Sequence, residues 1–256
     1  MTDPQRIADI LLDAERRRTP VTPLTRRYPF LDMDTAYKAQ AIVVEHRLQA
    51  GERLIGAKLG MTSAVKRRAL GIDEPVYGRL TAGMAVPLGE PIRLDELINP
   101  RAEPEIAFVL GRRIDGPTTV AEVLRATDAV LAAVEIVDTR YAAAFRPADS
   151  VADNAGAARV VLGAVPRRPD DLEELSVLGC VFRHRGGIDT AAGGAAMGHP
   201  AAALAWLATV LAARGEVLEE GTVVLTGGLT ASVPLRTHSL VTAEFDGLGS
   251  IAVRAV

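Results

Sequence analysis

Cysteine occurs once in these 256 residues, at Cys180, and histidine only four times. A single cysteine excludes an intrachain disulfide and a cysteine-cluster zinc site. It lies in "SVLGCVF", the setting of a buried strand residue rather than of a nucleophile. His46, His184, His199 and His238 show no pairing at metal-ligand spacing, so structural roles are expected of them. Aromatic residues make up 4%, the formal net charge is -3, and no basic stripe is present, which argues against nucleic acid as a partner. No apolar run approaches membrane-spanning length, and "MTDPQRIADILLDAERRR" carries charge throughout, unlike a signal peptide. The reading is a soluble cytoplasmic protein without membrane contact. There is no G-x-x-x-x-G-K-[ST], no strand-linked G-x-G-x-x-G and no G-x-S-x-G elbow, so nucleotide binding and serine-nucleophile hydrolysis lack support.

An apolar fraction of 48% is ample for a sizeable core, and one large domain can hold the chain. Asp3 as N-cap, Pro4 at N1 and the stripe Ile7, Ile10, Leu11, Ala14 predict a first helix ending near Thr19-Pro20. A second is predicted from about Asp34 to the stop at Gly51. "LIGAKLGMTSAVKRRALGI" reads as a short strand, a glycine-punctuated turn carrying Lys58, and a helix capped by Thr62 or Ser63 and closed by Gly71. Strands are predicted at "EIAFVLG", "AAVEIVD", "ARVVLG" and "SVLGCVFRHRG", with a turn at Gly186-Gly187, and a helix at "TVAEVLRATDAV". "HPAAALAWLATVLAARG" is a helix with Pro200 at N1 and Leu204, Leu207 and Leu211 inward. "GTVVLTGG", "SLVTAEFDG" and "SIAVRAV" read as closing strands. Helices lead and strands dominate the second half without strict alternation, which predicts a mixed α+β domain.

The chemistry concentrates in "RAEPEIAF". A strand repeats every two residues, so Glu103 and Glu105 point to one face. Two like charges that close repel, and something must offset this: solvent, a protein cation or a metal ion. Glu135 stands in another apolar run, where an unpaired carboxylate is costly. Three oxygen donors without histidine or cysteine suit a hard cation, magnesium or manganese. The alternative is a solvated sheet edge for Glu103 and Glu105, with Glu135 meeting an arginine. Lys58, between glycines, could bind a substrate carboxylate or move a proton; the alternative is an exposed loop lysine that contributes little to folding. "VADNAG" and "LTGGLT" are loop-like, with Asn154, Thr226 and Thr230 as donors.

Taken in order, "GAKLGMTS", "GIDEPVYGRL", "PRAEPEIAFVLGR", "AAVEIVDTRY", "VADNAG", "MGHPAAALAWL", "TGGLTASVPL" and "GLGSIAV" resemble the fumarylacetoacetate hydrolase superfamily. Within it they resemble the 2-hydroxypentadienoate hydratases and 4-oxalocrotonate decarboxylases of aromatic meta-cleavage catabolism. The resemblance implies a mixed β-sandwich roll with an N-terminal helical region, in a single catalytic domain over 1–256: a mostly helical lead-in over 1–75 and a sheet-rich metal-binding core over 76–256. It implies a magnesium or manganese ion on Glu103, Glu105 and Glu135, with Lys58 lining the site as catalytic residue. Substrate contacts are expected from Lys58, Leu59, Thr62, Ser63, Asn154, Arg159, Thr226 and Gly227. The substrate class implied is a small 2-oxo acid, and the partners a second copy of the chain and a companion hydratase. "EPVYG" has Val76 where hydratases show an aspartate, and "TGGLTASVP" resembles the decarboxylase form; both lean toward a decarboxylase over a hydratase or an acylpyruvate-type hydrolase or tautomerase. Intact Lys58 and glutamates speak against a non-catalytic assembly subunit. Gly156 departs from both branches, which have serine after "DNA".

Overall fold

Asp3 accepts a hydrogen bond from Gln5 N–H and Pro4 takes the first helical position, so α1 (Pro4–Arg17) starts as its sequence requires. Its stripe Ile7, Ala8, Leu11 and Ala14 is buried. After the short α2 (Leu24–Arg27), Asp32 caps α3 (Met33–Gln49), and α1 packs on α3. The computed structural model describes residues 2–256. The remaining elements are β1 (Leu54–Gly60), α4 (Ala64–Leu70), β2 (Val76–Thr81), β3 (Pro100–Leu110), α5 (Val120–Ala126), β4 (Thr127–Asp138), α6 (Pro147–Ala152) and β5 (Ala157–Leu162). Then come β6 (Gly179–His184), β7 (Gly187–Ala192), α7 (Pro200–Ala212), β8 (Val223–Leu225), β9 (Val233–Pro234), β10 (Leu240–Phe245) and β11 (Gly249–Arg254).

The larger sheet runs β2-β1-β8-β3-β4-β5, with β9 also on β3. It is mixed: β1 and β8 are parallel and the other pairs antiparallel. It also curls, because Ala85, just past β2, bridges Val160 of β5 and brings the two ends together. The smaller sheet, β11-β10-β6-β7, packs β10 and β11 against β4 and β5. This is the α+β architecture expected. The lead-in over 1–75 is helical except for β1, which lies inside the larger sheet between β2 and β8.

Curling divides the apolar residues by strand parity. One face of β3 (Ala102, Ile106, Phe108, Leu110) joins the main core with α1, α3, α7 and the second sheet. The other face turns inside the roll, where Leu80, Met84, Ala107, Leu131, Ala133, Ala157, Val160 and Leu225 form a second, smaller cluster. That small cluster closes one end of the roll. The other end holds the acids.

Four local expectations need correction. Lys58 is in the middle of β1, not in a turn, because cross-strand pairing with Gly78 and Leu225 extends its backbone. The helix at "TVAEVLRATDAV" stops at Ala126, and Thr127 onward pairs with β3, whose ladder outweighs the local preference. β3 begins at Pro100, and Pro104 sits within it. The Pro104 carbonyl accepts from Leu229, so its missing N–H faces the gap between β8 and β9 rather than the β4 ladder. Finally, Gly193–Ala212 does reach 20 residues at mean hydropathy 1.4, long and apolar enough by composition to cross a bilayer. A 3-10 turn at Gly193–Ala195 interrupts it, and α7 proper spans about 20 Å against about 30 Å of hydrocarbon. Leu204, Leu207 and Leu211 are buried in the core.

Candidate metal centre and active site

β3 and β4 pair so that Glu103 stands directly opposite Glu135, and Glu105 opposite Ala133. Parity sends Glu103, Glu105 and Glu135 into the roll, where one oxygen from each lies within 4.8 Å of the others. Glu105 and Glu135 are 0% exposed, and Glu103 is half-buried. They do not line a solvated edge. Nor does Glu135 meet an arginine: Lys58 Nζ lies 3.1 Å from its Oε2 and donates to Ala155 O at 3.0 Å. The curl makes this contact, since β1 and β4 are not sheet neighbours.

Burial raises Glu105 well above the usual carboxylate range, and the charges of Glu135 and Glu103 add to it against the pull of Lys58. Glu135 is raised too, by burial and by Glu103, with Lys58 opposing. Burial alone would lower Lys58, but Glu135, Glu105 and Glu103 together hold it above its ordinary value. The three acids thus favour the charged form of Lys58. Glu105 Oε2 accepts from Gly227 N–H at 2.7 Å and Glu135 Oε2 faces the Lys58 ammonium, whereas Glu105 Oε1 and Glu135 Oε1 are buried without a hydrogen-bond partner. Orphaned buried carboxylate oxygens are costly, and a single lysine does not balance three acids. An all-oxygen donor set with unused lone pairs fits a hard divalent cation.

The segment between β8 and β9 completes this end of the roll. Thr226 N–H and Oγ1 both donate to Ile106 O, and Gly227 N–H then reaches Glu105. Gly227 has φ +101, and a Cβ there would stand 2.2 Å from Thr62 Oγ1. At Gly228 a Cβ would stand 2.0 Å from Glu103 Oε2. "TGG" is thus a fitted lid over two of the acids.

A cavity of about 570 Å³ opens above them, within the range of small-molecule sites. Lys58, Thr62, Ser63, Val76, Glu103 and Gly156 line it, as do Arg101, Val137, Asp153 and Phe145. Met61, also on the wall, has φ 58, and Arg67 Nη1 ties this bend by donating to the Met61 and Thr62 carbonyls. Asp153 is spent on its neighbours: it ion-pairs with the Arg140 guanidinium and accepts from Arg140 N–H at 2.9 Å.

The other expected contacts lie elsewhere. Leu59 follows Lys58 on the strand, so it faces the main core. Arg159 points out of the roll because its neighbour Val160 points in; it pairs with Glu96 at 2.8 Å. Asn154 is buried, its amide bridging the backbone N–H and C=O of Arg79 at 2.7 and 2.9 Å. That bridge holds the left-handed turn Asn154–Ala155–Gly156, whose Ala155 carbonyl receives Lys58. Gly156 has φ +71, which a serine would adopt only with strain. Thr226 and Gly227 act behind the cavity wall, and Thr230 Oγ1 donates to Ala231 O. Of the residues not anticipated, Arg101 was open to strand parity with Glu103. Thr139, Phe145 and Ser232 carried no local signal.

A family model described as fumarylacetoacetate (FAA) hydrolase C-terminal matches residues 59–256. The chain is 38% identical over 250 residues to the TodF product hydratase of Pseudomonas putida F1, covering 96% of this chain and 93% of the relative. It is 35% identical over 253 residues to the 4-oxalocrotonate decarboxylase of Pseudomonas sp. CF600, covering 98% and 96%. A solved 4-oxalocrotonate decarboxylase from Pseudomonas putida G7, complexed with magnesium and adipate, superposes with a TM-score of 0.94 at 33% identity, covering 99% of this chain and 97% of that one. With a family model across most of its length and such relatives over nearly all of it, this chain belongs to the fumarylacetoacetate hydrolase family.

Proposed function

We propose that the chain is a divalent-metal-dependent decarboxylase of a 2-oxo-enedioate, converting 2-oxohex-3-enedioate to 2-hydroxypenta-2,4-dienoate and carbon dioxide. The observation that carries the choice is Val76. It is 1% exposed and lines the cavity at the position where the resemblance puts an aspartate in hydratases. A valine neither activates nor protonates water. Among the described residues, the acid on the cavity wall besides Glu103 is Asp153, and it is engaged by Arg140. The diacid adipate and the magnesium in the solved decarboxylase support the same substrate class and cation.

Glu103, Glu105 and Glu135 would hold magnesium or manganese, and such an ion, when bound, supplies Lewis-acid stabilisation of negative charge on an oxygen ligand. The chain's own residues do the rest. Val76, Val137 and Phe145 give the cavity apolar walls that strip water from a bound carboxylate, favouring its loss as charge disperses. As the C5–C6 bond breaks, its electron pair moves through the C3–C4 double bond to the C2 oxygen. The resulting dienolate takes one proton at that oxygen. Lys58 Nζ, on the cavity wall beside Glu135, supports this reading as the proton donor.

Hydration of the dienoate is the second reading, favoured by relatives named hydratase at similar identity. Purified protein with magnesium should release carbon dioxide from 2-oxohex-3-enedioate and hydrate 2-hydroxypenta-2,4-dienoate poorly, since lost acid–base help costs about 10²- to 10⁴-fold. Efficient hydration with no decarboxylation would reverse the choice and leave the metal centre as described.

A further inference from the structure

Among the described residues, two cationic side chains line the cavity, and one of them is committed. Lys58 is ion-paired with Glu135, but Arg101 has no carboxylate partner among the described residues. Its Nε donates to Ser232 Oγ at 2.7 Å and its Nη2 to the Ser232 carbonyl. Those bonds use one edge of the guanidinium. The Nη1 and remaining Nη2 hydrogens form the end-on fork that grips a carboxylate in two parallel bonds, and no acceptor among the described residues occupies it. The side chain is half-buried and its backbone is paired on both sides, to Val137 of β4 and Pro234 of β9, so the fork is presented from rigid strands.

Strand geometry supplies the distance. Arg101, Glu103 and Glu105 alternate on one face of β3, which places the Arg101 Cα about 7 Å from that of Glu103. The terminal carboxyl carbons of an extended six-carbon chain lie about 6 Å apart. A diacid with its 2-oxo acid end at the glutamates would reach Arg101 with the other. We infer that Arg101 anchors the far carboxylate and sets a preference for 2-oxo diacids over 2-oxo monoacids, an assignment that rests on the 2-oxo acid reading above.

The pair is strongest on the intact carboxylate and weakens as decarboxylation discharges it, so Arg101 serves binding and selectivity and not the bond-breaking step, which the apolar walls favour. Its loss raises KM and leaves kcat undiminished or higher. A residue that merely secured Ser232 would show no such split and no dependence on the ligand's second charge.

The test is calorimetric titration of magnesium-loaded protein with 2-oxoadipate and with 2-oxohexanoate, unreactive acids that differ in the far carboxylate. Wild type should bind the diacid about 30- to 1,000-fold more tightly. Arg101→Gln should abolish that preference and leave 2-oxohexanoate affinity within about threefold, while Arg101→Lys restores part of it. Equal affinity of wild type for both acids overturns the assignment, as does an Arg101→Gln variant weakened equally toward both. The wild-type comparison needs no variant, so misfolding of Arg101→Gln leaves the test standing. Binding of neither acid by metal-loaded wild type would instead sink the 2-oxo acid reading, and the anchor with it.

Discussion

Lys58 shows how one side chain changes meaning with its surroundings. At 3% exposure beside Glu135 it is a buried counter-charge, not a loop lysine of little structural consequence. Removing one partner of a buried pair leaves the other charge stranded, at a cost of about 3–5 kcal/mol. Lys58→Met should therefore lower the stability of metal-free protein by that order and turnover by about 10²- to 10⁴-fold. A divalent cation can replace the missing charge, so magnesium should recover most of the lost stability and little of the turnover. Urea unfolding with and without magnesium, beside single-substrate kinetics, checks both parts. Full recovery of turnover by magnesium would contradict a proton-donating role.

At the scale of elements, the candidate metal centre depends on an interruption. β8 ends at Leu225 and β9 begins at Val233, and the segment between them crosses β3 where the acids project. Its contacts are made by backbone: Thr226 to Ile106, Gly227 to Glu105 and Leu229 to Pro104. Gly228 leaves room for the Glu103 carboxylate, and its φ is not left-handed, so an alanine there is tolerated by the backbone. Gly228→Ala should instead push the carboxylate aside. We expect magnesium affinity to fall about 10- to 100-fold, by analogy with other lost ligand supports, with a stability cost near about 1 kcal/mol. Unchanged affinity by titration calorimetry would mean that Glu103 is not a ligand.

Across the whole molecule, closing the roll gathers three acids and one lysine into a buried space, and the metal-free protein carries that strain. Burial holds the folded-state pKa values of Glu105 and Glu135 above the ordinary carboxylate range. Such groups contribute stability that is fully present below the unfolded pKa and is lost as pH rises through the folded one. A cation binds the deprotonated form, so its stabilising effect should grow over the same rise. At magnesium about 100-fold above its dissociation constant the gain is about 2.7 kcal/mol. For a chain of this length that is about 5–10 °C in Tm, reversed by chelator. Thermal melts across mildly acidic to mildly alkaline pH, with magnesium or with chelator, test this. A shift that shrinks as pH rises would contradict a site made of these carboxylates.

What the sequence determined by itself was whatever depends on neighbours along the chain. The cap at Asp3, the prolines at Pro4 and Pro200 and the amphipathic stripe of α1 act within a turn or two, and α1 and α7 begin where they direct. Period-two alternation placed Glu103 and Glu105 on one face, and the ordered motifs carried the family. The tertiary structure alone decided what depends on strands far apart in sequence. The register of β3 on β4 set Glu135 opposite Glu103, and closure of the roll carried Lys58 to both. The same parity turned Leu59 and Arg159 away from the cavity and Arg101 toward it. A strand's period says that alternate residues share a face; only the sheet's curl says which face is the inside.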